Sequence, residues 1–462
     1  MILRVLLLLS LFTALALVVT ACAMPMRPVS SPATAPLAAR VVVRWRDMRQ
    51  RIDGFGADAQ AANLMRFPEP GRSHIVDLLF SPTNGIGLSM LREEIGCGNA
   101  PELGTIEPRP GVFTFAGDRG QVWLMKQAAR RGPITILSTV WSPPAWMKTN
   151  HDCSRGGYLS PAHYLDYARY LSAYVRGYKK YHGITISAIS PANEPNGVYP
   201  FQSSQWTGRQ FHDFIAHALR PVFTRDGVRA AVAMPEQSWH THDDLITPTL
   251  DDPASAAAVT IIAGHGYHHN TAPWSIANVH HKRTWQTEVS YLTHENPGMG
   301  DGLHWAENIH AFMTRAGANA WLWWWAVNSD GTKGDGEGII YLTPARRSYF
   351  ISKRLYTIGN YSRFIRPGYV RLAATDHPAA GIYTSAYRDP SGHTLVVVAI
   401  DDTGSARTID VRADGAPVRR VTPYVTSATQ NLAQGHAIVA TGEGFSATLP
   451  ARSVTTFVAT TR

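Results

Sequence analysis

Cysteine is scarce, with three in 462 residues, too few for a disulfide-built mini-protein and without the paired spacing of a zinc ribbon. Charge is sparse too: 17% of residues are charged against 45% hydrophobic, which excludes a disordered tail protein and a charge-rich coiled coil. Lysine and arginine outnumber aspartate and glutamate by 43 to 34, a formal +9. No run of five or six basic residues occurs, so nucleic acid is not an expected partner, and the mild basicity suits an anionic polysaccharide as well as any other partner. Internal repeats at solenoid or propeller periods are missing as well.

What the chain does contain begins at its start. Arg4 precedes the apolar run VLLLLSLFTALALVV and then TACA, the charged, apolar and small-residue order of an export signal, with an apolar core short for a permanent span. Two endings compete. Ala21-Cys22-Ala23 fits a cleavage site, whereas Val19 to Cys22 resembles the lipobox of bacterial lipoproteins and implies lipidation at Cys22, the preferred reading. Residues 1–22 are then a leader and 23–39 a Pro-, Ser- and Ala-rich linker. The protein is expected to be exported, as an outer-membrane or periplasmic lipoprotein or in secreted form. Membrane contact would come only through the lipid anchor, and the working unit is expected to be a monomer. Cys97 and Cys153 remain as an even pair in an oxidising compartment, so a disulfide between them is expected.

From residue 51 to about 360, β-rich apolar runs alternate with amphipathic helical stretches, the pattern of βα units around a parallel sheet. Eight runs can be counted, at 52–59, 85–91, 133–141, 184–190, 228–234, 257–264, 283–289 and 318–325. Eight is the count of a (β/α)8 TIM barrel. Ser160 and Pro161 mark a helix start, and Tyr164, Ala168, Leu171, Val175 and Tyr178 repeat at helical spacing before Gly183. Residues 361–462 read as strands separated by turns, such as Pro390-Ser391-Gly392. The strand-like RVVVRW at 40–45, within an N-terminal strand over 40–50, is expected to join them in a side β-sandwich.

A parallel barrel places its chemistry at the carboxyl ends of its strands. After the fourth run stand Asn193 and Glu194, and the seventh delivers Glu288 to the same rim from nearly the opposite side. Two carboxylates facing each other across a barrel mouth are what cleavage of a glycosidic bond requires: one proton donor for the leaving oxygen, and one nucleophile or base. Arg92, at the end of the second run, is placed to keep Glu288 ionised. His265 and Tyr267 leave the sixth run on one side and are candidates to position the nucleophile or substrate. Of Trp141, Trp146, Trp285 and Trp325, two are expected to stack on sugar, with Trp141 and Trp325 preferred. Glu93, Glu94 and Glu236 also follow strands as competing carboxylates, and of the adjacent pair at most one is expected at the mouth. The stretch HGYHHN and the pair His280-His281 lack a zinc-ligand spacing, so neither metal nor organic cofactor is expected.

With these residues in view, the chain resembles glycoside hydrolase family 30. The matching text is IDGFGA at the first strand, GLSMLR at the second, WSPPAWMKTN after the third and SAISPANEP at the fourth. TIEPRPG, GQVWLMKQA, DCSRGGYL and the closing LPARSVTTFV support it. The resemblance implies a retaining enzyme in which Glu194 is the acid/base, Glu288 the nucleophile and Asn193 the amide that binds a sugar 2-hydroxyl. Retention implies carboxyl groups about 5 to 5.5 Å apart and a Glu194 pKa raised beside the ionised nucleophile. The text is most like that of the xylan-cleaving members, so β-1,4-xylan or glucuronoxylan is the expected substrate. An endo-β-1,6-galactanase is the runner-up, and a glycan-binding surface lipoprotein without turnover is the alternative of another class. Glu93-Glu94 departs from the family text. Arg155 and Arg283 stand as guesses for reading an acidic decoration.

Overall fold

In the computed structural model, all eight apolar runs contribute to strands. The structure describes residues 38–98, 104–115, 118, 120–268, 270–291, 297–329, 336–343, 345 and 347–461. The leader, most of the linker and Cys22 lie outside the described residues. Among those described, the strands Gly54–Asp58, Met90–Ile95, Thr135–Val140, Ala188–Ser190, Ala231–Ser238, Val259–His265, Arg283–Glu288 and Ala320–Trp324 close into a parallel barrel in chain order. The second and fifth strands run past the ends of their apolar runs. Arg92 to Glu94 and Gln237 to Ser238 still pair with the next strand, because the backbone ladder does not depend on side-chain polarity.

The barrel interior is filled by side chains of unequal size, with Met90, Leu137, Ile261, Trp285 and Leu322 set among Ala188, Ala233, Ala263 and Ala320. Strands one and two approach closely: a Cβ at Gly56 would lie 2.5 Å from the Met90 carbonyl oxygen, so no larger residue fits there. A larger apolar core separates the barrel from its helices. Helix Tyr164–Gly177 continues as a π-turn to His182 and ends at Gly183, whose φ of 75° is left-handed. Its buried stripe is Tyr167, Ala168, Tyr170, Leu171 and Tyr174, with Tyr164 and Val175 half-buried. The face against the barrel is therefore rotated slightly from the expected one.

After the eighth strand comes a three-stranded sheet of Val327–Ser329, Ile340–Thr343 and Ser348–Ile351, whose first strand carries Asn328 and Ser329. The side domain is a ten-stranded sheet that curls around its own core. The rings of Phe445 and Phe457, on strands far apart in the sheet order, lie 5.2 Å apart across that core. The N-terminal strand Ala39–Arg51 belongs to it, parallel to Arg407–Asp414 and antiparallel to Val370–Ala374. Buried Asn360, on the last barrel helix, ties the two parts together by donating to the Tyr424 carbonyl and to Thr456. No helix among the described residues is long and apolar enough to cross a membrane.

Candidate active site

The carboxyl ends of the strands open into a cavity of about 1270 Å³. Its walls include Asp58, Trp141, Asn193, Glu194, Tyr199, Phe201, Tyr267, Glu288, Trp324 and Trp325. Strand four is only three residues long, and Glu194 follows it with a left-handed φ of 46°. That conformation is held by two backbone bonds, from the Glu194 N–H to the Glu236 carbonyl at 2.8 Å and from the Gly197 N–H back to the Glu194 carbonyl at 2.8 Å. Glu288 is the last residue of strand seven. Carboxylate oxygens of Glu194 and Glu288 and a ring nitrogen of His265 all lie within 4.8 Å of one another.

Beneath them runs a continuous polar network. Arg92 is fully buried; its guanidinium donates to Glu288, to Asn193 Oδ1 at 2.6 Å and to Glu236 at 3.4 Å. It also lies 4.7 Å from the Trp141 ring centre, and Trp141 in turn stacks on Trp324 at 5.4 Å. Tyr267 donates its hydroxyl to Glu288 at 2.8 Å. His265 bridges Glu194 at 3.1 Å through Nδ1 and Glu236 at 3.2 Å through Nε2. Thr139 and Thr287 fill the remaining acceptor positions of Glu236, at 3.1 and 2.5 Å.

The electrostatics follow from these contacts. Burial alone would drive the proton off His265, but the charge of Glu288 and the hydrogen bonds to Glu194 and Glu236 outweigh it and lift the imidazole to about 10. Burial likewise pushes Glu194 and Glu236 up. For Glu194 the bond and charge of His265, the Tyr199 hydroxyl and Arg92 win; for Glu236 the Arg92 charge and His265 win, and both carboxyls fall below their ordinary value. The expected rise at Glu194 is thus overturned for the resting site. The reason is the imidazolium, which holds beside Glu194 the proton that the carboxyl was expected to carry.

A raised His265 contributes stability that is fully present below its ordinary pKa of 6.5 and is lost as pH rises towards about 10. The urea midpoint of the wild type is expected to fall more between pH 6.5 and 10 than that of His265→Gln; equal slopes would show that the ring is neutral.

Other expectations divide. Trp141 and Trp325 reach the cavity, as does Trp324, which sequence reading passed over. Trp146 instead bonds the Glu107 carbonyl and packs on His163, and Trp285 fills the barrel interior with its N–H on Asp53. Arg283 opens strand seven and pairs with Asp53, which precedes strand one, so it sits at the opposite end of the barrel from the mouth. Arg155 lines the cavity, with an exposed side chain 3.8 Å from Asp152. Glu93 and Glu94 both line the cavity, where at most one was expected, because the opening continues behind the strand to Asp118 and Gln121. Glu236, read only as a competing carboxylate, sits at the centre of the network. No signal in the sequence marked it, because Arg92 and His265, whose charge it balances, meet it only in the fold.

Cys97 and Cys153 are joined by a disulfide, Cα to Cα 5.6 Å, linking the loops after strands two and three. The Cys97 N–H donates to Gln202 at 2.8 Å and the Ser203 N–H to the Cys153 carbonyl at 3.0 Å. Three rim loops are thereby fixed together around Tyr199 and Phe201, whose rings stack at 4.7 Å. For a metal ion, Glu194, His265 and Glu288 have the spacing but not the chemistry. Both ring nitrogens of His265 are engaged by carboxylates and a protonated imidazole offers no lone pair. His212, Asp213 and His217 form a second such group on the outer surface, away from the cavity.

Comparison with known proteins gives concordant results. The family model of glycosyl hydrolase family 59 matches residues 51–340. A protein named glucuronoxylanase XynC from Bacillus subtilis (strain 168) is 30% identical over 349 residues, 73% of this chain and 76% of that protein. The glycoside hydrolase family 30 subfamily 8 xylanase Xyn30A from Clostridium acetobutylicum superimposes with a TM-score of 0.77 at 30% identity, covering 92% of this chain and all of that one. The catalytic domain of a family 30 xylanase C from Talaromyces cellulolyticus gives 0.79 at 28% identity, over 91% of this chain and all of its own.

Proposed function

Because the chain belongs to the glycosyl hydrolases of the family 59 and family 30 type, we propose that it cleaves the β-1,4-linked backbone of xylan with retention of configuration. The observation that supports the stereochemistry is that a carboxylate oxygen of Glu194 and one of Glu288 lie within 4.8 Å of each other. Inverting enzymes keep their carboxyl groups about 6.5 to 9.5 Å apart to admit a water between them. The substrate reading is supported by the names of the relatives.

In this mechanism the Glu288 carboxylate, held by hydrogen bonds from Arg92 and Tyr267, attacks the anomeric carbon. The bond from that carbon to the leaving oxygen breaks, and its electron pair goes to the oxygen. Glu194 supplies the proton to that oxygen, drawing on the one it shares with His265 Nδ1. In the second step the Glu194 carboxylate removes a proton from water, whose oxygen displaces Glu288 from the sugar. Asn193, held by Arg92, offers its amide to the 2-hydroxyl of the bound sugar, and Trp325 offers an aromatic face. The protein works as an exported monomer, by lipid at Cys22 or in free form, with polysaccharide as its partner.

Product analysis on glucuronoxylan, linear arabinoxylan and β-1,6-galactan tests this reading, with the anomer formed followed by proton NMR. Xylo-oligosaccharides released first as the β-anomer are expected. Galactan products alone, or an initial α-anomer, would overturn the substrate or the stereochemistry respectively.

A further inference from the structure

The outer surface carries a second gathering of metal-ligating side chains, on the helix that follows strand four. Thr207 starts helix Gly208–Phe214 with a capping box, and a π-turn over Ile215–Leu219 carries it on into helix Arg220–Asp226. Residues five apart in a regular α-helix point about 140° away from each other around the axis, so His212 and His217 form no zinc motif as sequence. The π-turn takes up one extra residue and returns His217 to the face of His212, with the two ring centres 5.9 Å apart. Together with Asp213 they bring one ligand atom each to within 4.8 Å of one another. None of the three belongs to the walls of the catalytic cavity.

The contacts around these three residues are those of a ligand set with its supports in place. His212 Nδ1 faces Asp213 Oδ1 at 2.8 Å, while its Nε2 lies 3.4 Å from Asp252 Oδ2. Arg209, a mostly exposed side chain, donates to the other Asp213 oxygen, Oδ2, at 2.9 Å. Asp252 is itself fixed, since it caps helix Pro253–Ala256 by accepting from the N–H groups of Ala254 and Ser255 at 3.2 and 3.1 Å. The His217 ring is exposed and makes no hydrogen bond or ion pair among the described residues. A metal-bound imidazole as a rule gives its second N–H to a carboxylate, and a metal-bound carboxylate is hydrogen-bonded in turn. Asp252 and Arg209 occupy those two outer positions. Nδ1 and Oδ1 have only to part by about half an ångström to admit a tetrahedral ion between them, and the exposed side chain of His217 is free to close on it.

We propose that His212 Nδ1, Asp213 Oδ1 and a ring nitrogen of His217 bind a divalent cation of the zinc class, with water in the fourth position and with Asp252 and Arg209 orienting the ligands. Two imidazoles select zinc, nickel or copper over calcium and magnesium, which take oxygen ligands. Through Asp252 the ion ties the helix after strand four to the one that precedes strand six. Its effect is on the stability of the barrel wall, not on the glycosidic bond, and it does not depend on which glycan the cavity takes.

The test is calorimetric titration of the protein, prepared without a histidine tag, with zinc chloride at slightly alkaline pH, followed by thermal unfolding with and without the metal. One zinc ion per chain and a rise of several degrees in Tm at saturation are expected. His217→Ala changes an exposed side chain outside the catalytic cavity, so it should fold and hydrolyse as the wild type does and lose both effects. Asp252→Asn keeps a good helix cap and should weaken zinc about ten-fold. Calcium chloride should give neither heat nor a shift in Tm. No zinc bound by the wild type, zinc bound as tightly by His217→Ala, or calcium bound equally well would each overturn the inference. Zinc held at Glu194, His265 and Glu288 instead would persist in His217→Ala and inhibit hydrolysis in both proteins, which is the second of these results. An affinity unmoved by Asp252→Asn would overturn the part given to the outer carboxylate.

Discussion

Glu288→Gln is expected to lower kcat on xylan by about four orders of magnitude, a loss of about 5.5 kcal/mol of transition-state stabilisation, with KM little changed. The amide keeps the shape of Glu288, and its carbonyl can still accept from Arg92 while its NH2 turns the bond with the Tyr267 oxygen round, but it offers no anionic oxygen to the anomeric carbon. Glu194→Gln should behave differently. Its loss on polymer, about 10² to 10⁴-fold, depends on how much the leaving oxygen needs a proton. With an aryl β-xyloside of acidic phenol the first step should proceed at near its normal rate, and the glycosyl-enzyme should accumulate as a burst. Azide, which needs no general base, should then restore turnover and yield the β-glycosyl azide. Initial rates on both substrates with and without azide make the measurement. Equal loss on polymer and aryl xyloside, without rescue, would remove Glu194 from the proton-transfer role.

Arg92→Met should be the most destabilising single change at the site, by about 3 to 5 kcal/mol in urea unfolding at neutral pH. Volume is nearly conserved, so packing against Trp141 is largely retained. What is lost is the cation shared by Glu236 and Glu288, both of which remain buried. Arg92→Lys should recover only part of the loss, because an ammonium cannot present the planar fork that meets Glu288, Asn193 and Glu236 together. A cost under about 1 kcal/mol for Arg92→Met would mean that the carboxyls take up protons instead of relying on the guanidinium, and the pH profile would show it.

The barrel was legible because burial on both faces makes each parallel strand an apolar run, and eight such runs survive in the chain as continuous text. The ends of those strands were less legible. Arg92, Glu93 and Glu94 are polar, yet they stay in the ladder, so composition stops marking the strand two or more residues before the backbone does. The strand-end rule located Glu194 and Glu288 and also rules out Arg283, whose place at the start of strand seven was readable in the same terms. Glu236 was not singled out because nothing local distinguishes a carboxylate serving as counter-charge from one in solvent. Its meaning comes from Arg92 and His265, distant in sequence and adjacent only in the fold. Tyr199 and Trp324 were missed for a similar reason: an aromatic residue in a loop or strand is packing by default, and only the closed ring of strands shows which ones border open space.

The pairing of the first described strand has a consequence for how the molecule is made. Val43 lies beside Ala374 and, on its other side, Ala413. A chain emerging vectorially must hold this hydrophobic segment without its neighbours while more than three hundred further residues appear, the whole barrel among them. The side domain therefore acts as a clasp that shuts last. Chains interrupted between the eighth barrel strand and residue 370 would carry an unpaired, valine-rich edge next to a complete ring of barrel strands, which marks them for aggregation or clearance instead of release as truncated hydrolases.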